Sequence, residues 1–346
     1  MTVSNQIIQS NTVKTAAIAL GAVALGKYLW RKWNEYDLHG KTVLVTGGSR
    51  GLGLVLARQF AANGARVAIC ARDEQELQTA SEDLQNRGAE VETIKCDVTN
   101  MAEVENMIRR VRQRFGQIDV LVNNAGTIQV GPLEVMKRED FEHTMRAHFW
   151  GPLNTILAVL PEMRERGDGR IVNISSIGGK IAVPHLVPYS ASKFALVGLS
   201  KGLNAELRKD GIVVTTVCPG LMRTGSPRNA NFKGKHRDEY AWFSISDSLP
   251  VTSIKAERAA RQIVDACKQG RAELVITIQA KMAVTFDALF PELSADLMAV
   301  VNRVLPGPGG IGERTAKGRE STSSWSPSWL TRLTEEAAMN NNEVVH

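Results

Sequence analysis

Tyr189 and Lys193 stand four residues apart in Tyr189-Ser190-Ala191-Ser192-Lys193, at the start of a long helical pattern, and Ser176 ends a β-branched run thirteen residues earlier. Positions i and i+4 share one face of a helix, which puts an ammonium near a phenol. A free phenol, with a pKa of about 10, is too weak an acid–base group for pH 7, and a fixed cation favours its ionised form. With a serine hydroxyl to orient a substrate oxygen, such a trio could pass a proton to or from that oxygen. By itself the pair equally describes a core tyrosine beside a surface lysine, so the surrounding elements decide.

The second group is Thr46-Gly47-Gly48-Ser49-Arg50-Gly51-Leu52-Gly53, directly after the run 42–46 and opening a helical pattern of Leu52, Val55, Leu56 and Phe60. Gly47 permits a tight turn, Gly51 lets backbone N–H groups approach a pyrophosphate, and Gly53 allows close packing of helix on strand. The helix N-terminus adds partial positive charge, so the turn reads as an anion site. A carboxylate ending the second strand would bind a ribose 2′-hydroxyl and repel a 2′-phosphate. Here that position is Ala71, followed by Arg72, and Arg50 supplies a second guanidinium nearby. These residues favour NADP(H) over NAD(H). Asp73 and Glu76 are spaced as a capping pair for the next helix.

Strand-like runs recur at 42–46, 66–71, 91–96, 118–123, 170–174, 212–218 and 273–278, with helical patterns between them. Seven strands alternating with helices predict an α/β fold, a doubly wound, Rossmann-type parallel sheet in a single domain with N- and C-terminal extensions. The 346 residues carry 43% apolar and 23% charged side chains, 29 Gly and 12 Pro, which excludes collagen-like, wholly disordered and multi-span membrane classes. Forty-two Lys and Arg against 36 Asp and Glu leave +6, too small and dispersed a surplus to argue for nucleic acid. Cys70, Cys96, Cys218 and Cys267 form no C-x-x-C pair, so neither a metal site nor a disulfide framework is expected, and a reducing compartment fits. Ahead of the domain, the uncharged run 15–26 and the belt Lys27 to Trp33 form an apolar segment of 16 residues up to Trp30. That is short of the roughly 20 needed to span a bilayer. It reads as a membrane anchor or interfacial helix with the domain in the cytoplasm, with a cleaved signal or a docking helix as alternatives.

Taken together, these motifs resemble the short-chain dehydrogenase/reductase family, over roughly residues 38–278. The match adds Asp97-Val98 after the third strand, Asn123-Asn124-Ala125-Gly126 after the fourth, and Pro219-Gly220-x-x-x-Thr224 after the sixth. The resemblance implies that Asp97 and Val98 hold adenine, that Asn124, Ala125 and Gly126 shape the cofactor floor, and that Pro219, Gly220 and Thr224 hold the nicotinamide carboxamide. It also implies hydride transfer between NADP(H) and a carbonyl or alcohol, with Tyr189 as proton donor, Ser176 orienting the oxygen, and Lys193 binding the nicotinamide ribose and lowering the phenol's pKa. Where the family commonly has Asn in the helix after the fourth strand, this chain has His148, which either takes over a water relay to Lys193 or simply packs. The expected division is an apolar segment 1–36, the catalytic domain 37–280, a further apolar helical segment 281–305, and a linker with a peripheral tail 306–346.

Residues 225–251, which cover the substrate in this family, mix Lys233, Lys235, His236 and Arg237 with Tyr240, Trp242 and Phe243, suiting an acyl chain with an anionic head or merely a solvated loop. Met282, Phe286, Leu289, Phe290, Leu293 and Leu297 then form a stripe expected to dock on the body, on a partner subunit or on a membrane surface. The expected activity is an NADPH-dependent carbonyl reductase acting on a hydrophobic ketone, as a homo-oligomer. An NAD-linked dehydrogenase working oxidatively, or a sensor that binds NADP(H) without turnover, are the alternatives.

Overall fold

The computed structural model of the protein describes residues 35–250 and 252–344, with residues 21, 22, 26, 29 and 33 ahead of them. The segment 15–30 therefore lies almost wholly outside the described residues. Among those described, no helix is long and apolar enough to cross a membrane.

Seven parallel strands form the central sheet: β1 (Thr42–Thr46), β2 (Arg66–Ala71), β3 (Val91–Lys95), β4 (Val120–Asn123), β5 (Gly169–Ile174), β6 (Ile212–Pro219) and β7 (Glu273–Ile276). Their order is β3-β2-β1-β4-β5-β6-β7. The order reverses between β1 and β4, and a crevice must open there at the strands' C-terminal ends. Val43, Leu44 and Val45 have no exposed surface, because helices cover both faces. One face packs on α1 (Gly51–Ala61), α2 (Glu74–Asn86) and α8 (Ala256–Lys268) through Leu54, Phe60, Leu77 and Ile263. The other packs on α3 (Met101–Phe115) and α5 (Gly151–Arg166) through Val104, Met107, Ile156 and Val159. Burying each such side chain contributes about 1.5–3 kcal/mol. The remaining helices are α4 (Arg138–Met145), α6 (Val187–Leu207), α7 (His236–Ser248), α9 (Ile278–Leu289), α10 (Pro291–Val304) and α11 (Arg332–Asn340).

Under the crevice the sheet is locked by polar groups rather than by oil alone. Asn123 Nδ2 donates to Asn173 Oδ1 at 2.9 Å, Asn173 Nδ2 to Ser200 Oγ at 3.0 Å, and Thr155 Oγ1 to Asn123 Oδ1 at 2.6 Å. These bonds tie β4, β5, α5 and the middle of α6 together. Buried and fully partnered, such a network fixes one register.

Two expectations change here. Residues 306–344 do not form a peripheral tail: Ala316–Lys317 pairs antiparallel with Asn231–Phe232, and α11 docks on α7 through Thr334 Oγ1 on Asp247 at 2.8 Å. Ser321, Ser326, Thr331 and Thr334 are all buried. The segment packs by small hydroxyls with hydrogen bonds, so its low hydropathy resembles that of a solvated tail. Conversely, the α9–α10 stripe does not dock on the body, and Met282, Leu289, Phe290, Leu293 and Leu297 stay exposed. All four cysteines are free and buried.

Candidate active site

A cavity of about 790 Å³ lies over the C-terminal ends of β1, β2, β4 and β5, within the usual range for a ligand site. Its lining gathers residues far apart in sequence: Gly47, Ser49, Arg50, Gly51, Leu52, Arg72, Asp97, Val98, Asn124, Ala125, Gly126, His148, Tyr189, Lys193 and Thr224.

At one end sit the catalytic candidates. Pro188 in the first turn of α6 fixes where the helix starts, and Tyr189 follows it. Ser176, just past β5, caps a short turn by accepting from Gly178 N–H at 3.0 Å, and its hydroxyl bonds the Tyr189 phenol. Burial raises the phenol's pKa, against a lowering by the Ser176 bond. Lys193 lies 5.7 Å from the centre of the Tyr189 ring, but its ammonium donates to Ile174 O at 3.0 Å. Burial pushes Lys193 down to about 7. The helical spacing thus delivers both groups to one face, but the expected ionisation of the phenol by Lys193 is not what this geometry shows. The strand-end carbonyl holds the ammonium, and the dry surroundings keep the phenol protonated.

His148 sits on a π-helical turn, Arg146–Trp150, inserted between α4 and α5. Its Nε2 accepts from Thr127 N–H at 3.1 Å, so the proton lies on Nδ1, which donates to Ser192 Oγ at 2.7 Å; Ser192 Oγ donates onward to Tyr189 O at 2.8 Å. Burial and Lys193 hold its pKa well below the ordinary histidine value, so the ring is neutral. Both nitrogens are already bonded to protein, which leaves the ring no free site for a relay water. Gly126 is required beside it, since a Cβ there would approach His148 Nε2 to 2.7 Å.

The glycine turn behaves as its sequence implies. Gly47 has φ of +63°, and a Cβ on Gly53 would overlap the Gly47 carbonyl. Asn124 Nδ2 ties Thr46 O and Gly47 O, each at 3.1 Å, and Thr46 Oγ1 accepts from Asn124 N and Ala125 N. Asp97 accepts from Thr99 N–H at 2.9 Å and Thr99 Oγ1 at 2.8 Å. Pro219 and Gly220 do not line the cavity; Gly220 packs toward Thr277 and Ala280.

The phosphate end differs from its expected form. Asp73 does cap α2, accepting from Gln75 and Glu76 N–H. Glu76, however, turns into the glycine turn, accepting from Ser49 Oγ at 2.9 Å and pairing with Arg50 at 2.7 Å. Glu343 also approaches Arg50, at 3.6 Å. Arg50 is therefore held by two carboxylates, and Arg72 is left without it. In its place the cavity wall carries Lys317 and Arg319 from the C-terminal extension, with His143 and Arg146 from the α4 region. Among the described residues no ion pair holds Arg72, Arg146, Lys317 or Arg319. Lys317 is lowered by burial and then by Arg50, Arg72 and Arg319, and His143 by burial and then by Arg72, Arg146 and Lys317. Converging like charges signal a place for an anion. No local motif marks Lys317 or Arg319, which the Ala316–Lys317 strand pairing and the Gly318 N–H bond to Ala230 O bring to the site.

The short chain dehydrogenase profile matches residues 41–233. The chain belongs to the short-chain dehydrogenase family. A Streptomyces coelicolor protein bearing a ketoacyl reductase name is 40% identical over 219 residues, covering 61% of this chain and 83% of that protein. Dehydrogenase/reductase SDR family member 7B of Danio rerio is 31% identical over 291 residues, 82% of this chain and 93% of its own. Among solved structures, a variant of actinorhodin polyketide ketoreductase with NADPH superposes with a TM-score of 0.62 at 34% identity, covering 68% of this chain and 95% of that one. Gluconate 5-dehydrogenase from Burkholderia cenocepacia, in complex with NADP and tartrate, gives 0.63 at 29% identity over 72% and 98%. As a short-chain dehydrogenase, this chain is an oxidoreductase of alcohol and carbonyl groups. The match to the family ends at residue 233, well before Lys317.

Proposed function

We propose that this short-chain dehydrogenase reduces a hydrophobic ketone with NADPH. The observation that carries the reading is the polarity of one cavity: Tyr189 and Lys193 line one end, with Ser176 just behind the phenol and outside the lining, and cations without carboxylate partners stand at the other. The residues present fit a dinucleotide, because Gly47, Gly51 and Gly53 put no Cβ into the turn and Asn124 ties the floor to Thr46 O and Gly47 O. Arg72, Lys317 and Arg319 would take a 2′-phosphate, Asp97 and Val98 the adenine, and Lys193 the nicotinamide ribose. When bound, the cofactor supplies or accepts a hydride.

Everything else comes from the chain. Ser176 positions the substrate oxygen beside the phenol, and Tyr189 donates the proton to it. A buried phenol with a raised pKa is a proton donor at neutral pH, which suits reduction better than oxidation. Lys193, poised near neutrality, responds to negative charge developing beside it. His148 acts as a positioning residue, fixing the Tyr189 backbone through Ser192. The Tyr189 ring belongs to an apolar region, packing with Ile128, Val183 and Trp242 on the cluster of Phe232, Tyr240 and Phe243. Lys233 offers no anionic subsite, being buried and paired with Asp140 at 2.6 Å. A neutral, apolar ketone therefore fits better than an acyl chain with an anionic head.

The test is NADPH oxidation against ketones of increasing chain length. Turnover should rise with chain length, and Tyr189→Phe should abolish it. Turnover with NADH alone would overturn the NADPH preference, and turnover only with alcohols and the oxidised cofactor would replace this reading with the oxidative one.

A further inference from the structure

The C-terminal peptide does more than bring Lys317 to the cavity. Past α11 it crosses the glycine turn itself. Gly51 N–H donates to Asn341 O at 2.8 Å, and Asn342 Nδ2 donates to Ser49 O at 3.0 Å and Glu76 O at 3.1 Å. Glu343 lies against the open face of Gly51, so close that a Cβ on that glycine would overlap its Oε1. Its carboxylate is buried at 5% exposure, paired with Arg50 Nε at 3.6 Å and bonded by Asn229 Nδ2. Asn341 Nδ2 reaches Thr224 O at 3.5 Å.

We infer that residues 341–343 are a built-in competitor for the cofactor, with the Glu343 carboxylate standing where a dinucleotide phosphate must seat. This rests on the reading of the glycine turn as a pyrophosphate cradle. The bare face of Gly51, the α1 N-terminus and Arg50 suit any anion. A carboxylate and a phosphate cannot share them, since they need the same space and repel each other where little water screens them. The peptide contributes two side chains, Asn342 and Glu343, and the Asn341 carbonyl to this one turn, so the contact is built rather than grazing. Thr334 and Glu335, anchored on Asp247 and on Arg228 at 2.6 Å, hold α11 in place and keep the peptide at high effective concentration when it lifts. Cofactor affinity is then reduced by the fraction of molecules whose turn is covered. Carried by a segment beyond the family match, the device would shift the response of this chain to higher cofactor levels than a bare cradle needs.

The experiment compares NADPH affinity, by cofactor fluorescence, for the full chain, for a chain ending at Asn340, and for Glu343→Gln. Amide hydrogen exchange of 341–343 in the full chain is followed with and without NADPH. Both variants should bind about tenfold more tightly, the factor expected when a turn covered nine-tenths of the time is freed. NADPH should also speed exchange at 341–343. Unchanged or weaker binding in Glu343→Gln, or NADPH-induced protection of 341–343, overturns the competition and leaves the cofactor reading intact. Failure of every form to bind NADPH or NADH overturns both.

Discussion

The two ends of the cavity are built by different means. At the catalytic end, the bonds all run to residues within the family domain, Ser176 to Gly178 and His148 to Thr127 and Ser192. Tyr189 is held by its own backbone through Ser192, and Lys193 by Ile174 O. At the phosphate end, Lys317, Arg319 and Glu343 come from some 260 to 290 residues beyond the glycine turn, the two cations lining the cavity and the carboxylate buried against Gly51 and Arg50. Geometry does the work at the first end, through rigid short bonds. Charge balance does it at the second. Catalysis should therefore fail sharply at one end, and cofactor choice should change by degrees at the other.

The largest break is expected from Tyr189→Phe. General acid catalysis is worth about 10²–10⁴ in rate, so turnover should fall by that factor while NADPH affinity stays within twofold. Equal losses in both would mean that the phenol serves binding and not proton transfer. A smaller effect tests the other end. Arg72→Ala and Lys317→Ala should each weaken NADPH binding by about tenfold, roughly 1.4 kcal/mol, and leave NADH binding nearly unchanged. If Lys317→Ala weakens both cofactors alike, the C-terminal cations hold the pyrophosphate rather than a 2′-phosphate.

The same contrast explains what the sequence could disclose. All seven strands stand within about two residues of their expected places, because β-branched runs between glycine punctuation are local signals. The trio and the glycine turn were equally visible, since each lies on one short segment. The partner of Arg50 was not: Glu76 sits at a spacing that also suits a capping box, and only the packing of α2 against the turn sends it to Arg50 instead. Lys317 and Arg319 lie in a stretch of low hydropathy whose placement depends on a two-residue strand pairing, below the reach of any periodicity. The hydroxyl-rich burial of Ser321, Ser326 and Thr331 carried no pattern of its own.

His148 is where the two ends meet, and its test is the finest. Its pKa is held well below the ordinary value in the folded chain, whereas the unfolded chain takes up a proton near pH 6.5. The unfolded state thus binds more protons as pH falls through 6.5. The contribution of neutral His148 is fully present above that pH and is lost below it, at up to about 1.4 kcal/mol per pH unit. Asp247, raised to about 7 by burial, acts in the opposite direction, so the difference between two proteins is the useful quantity. Urea midpoints at pH 7.5 and 5.5 should separate more in wild type than in His148→Asn, whose side chain does not titrate. Turnover of the variant should drop several-fold while NADPH affinity stays unchanged, as expected of a residue that holds Tyr189 through Ser192. Identical pH dependence in the two proteins would mean that the imidazole is protonated and reaches solvent, which would return it to the relay role.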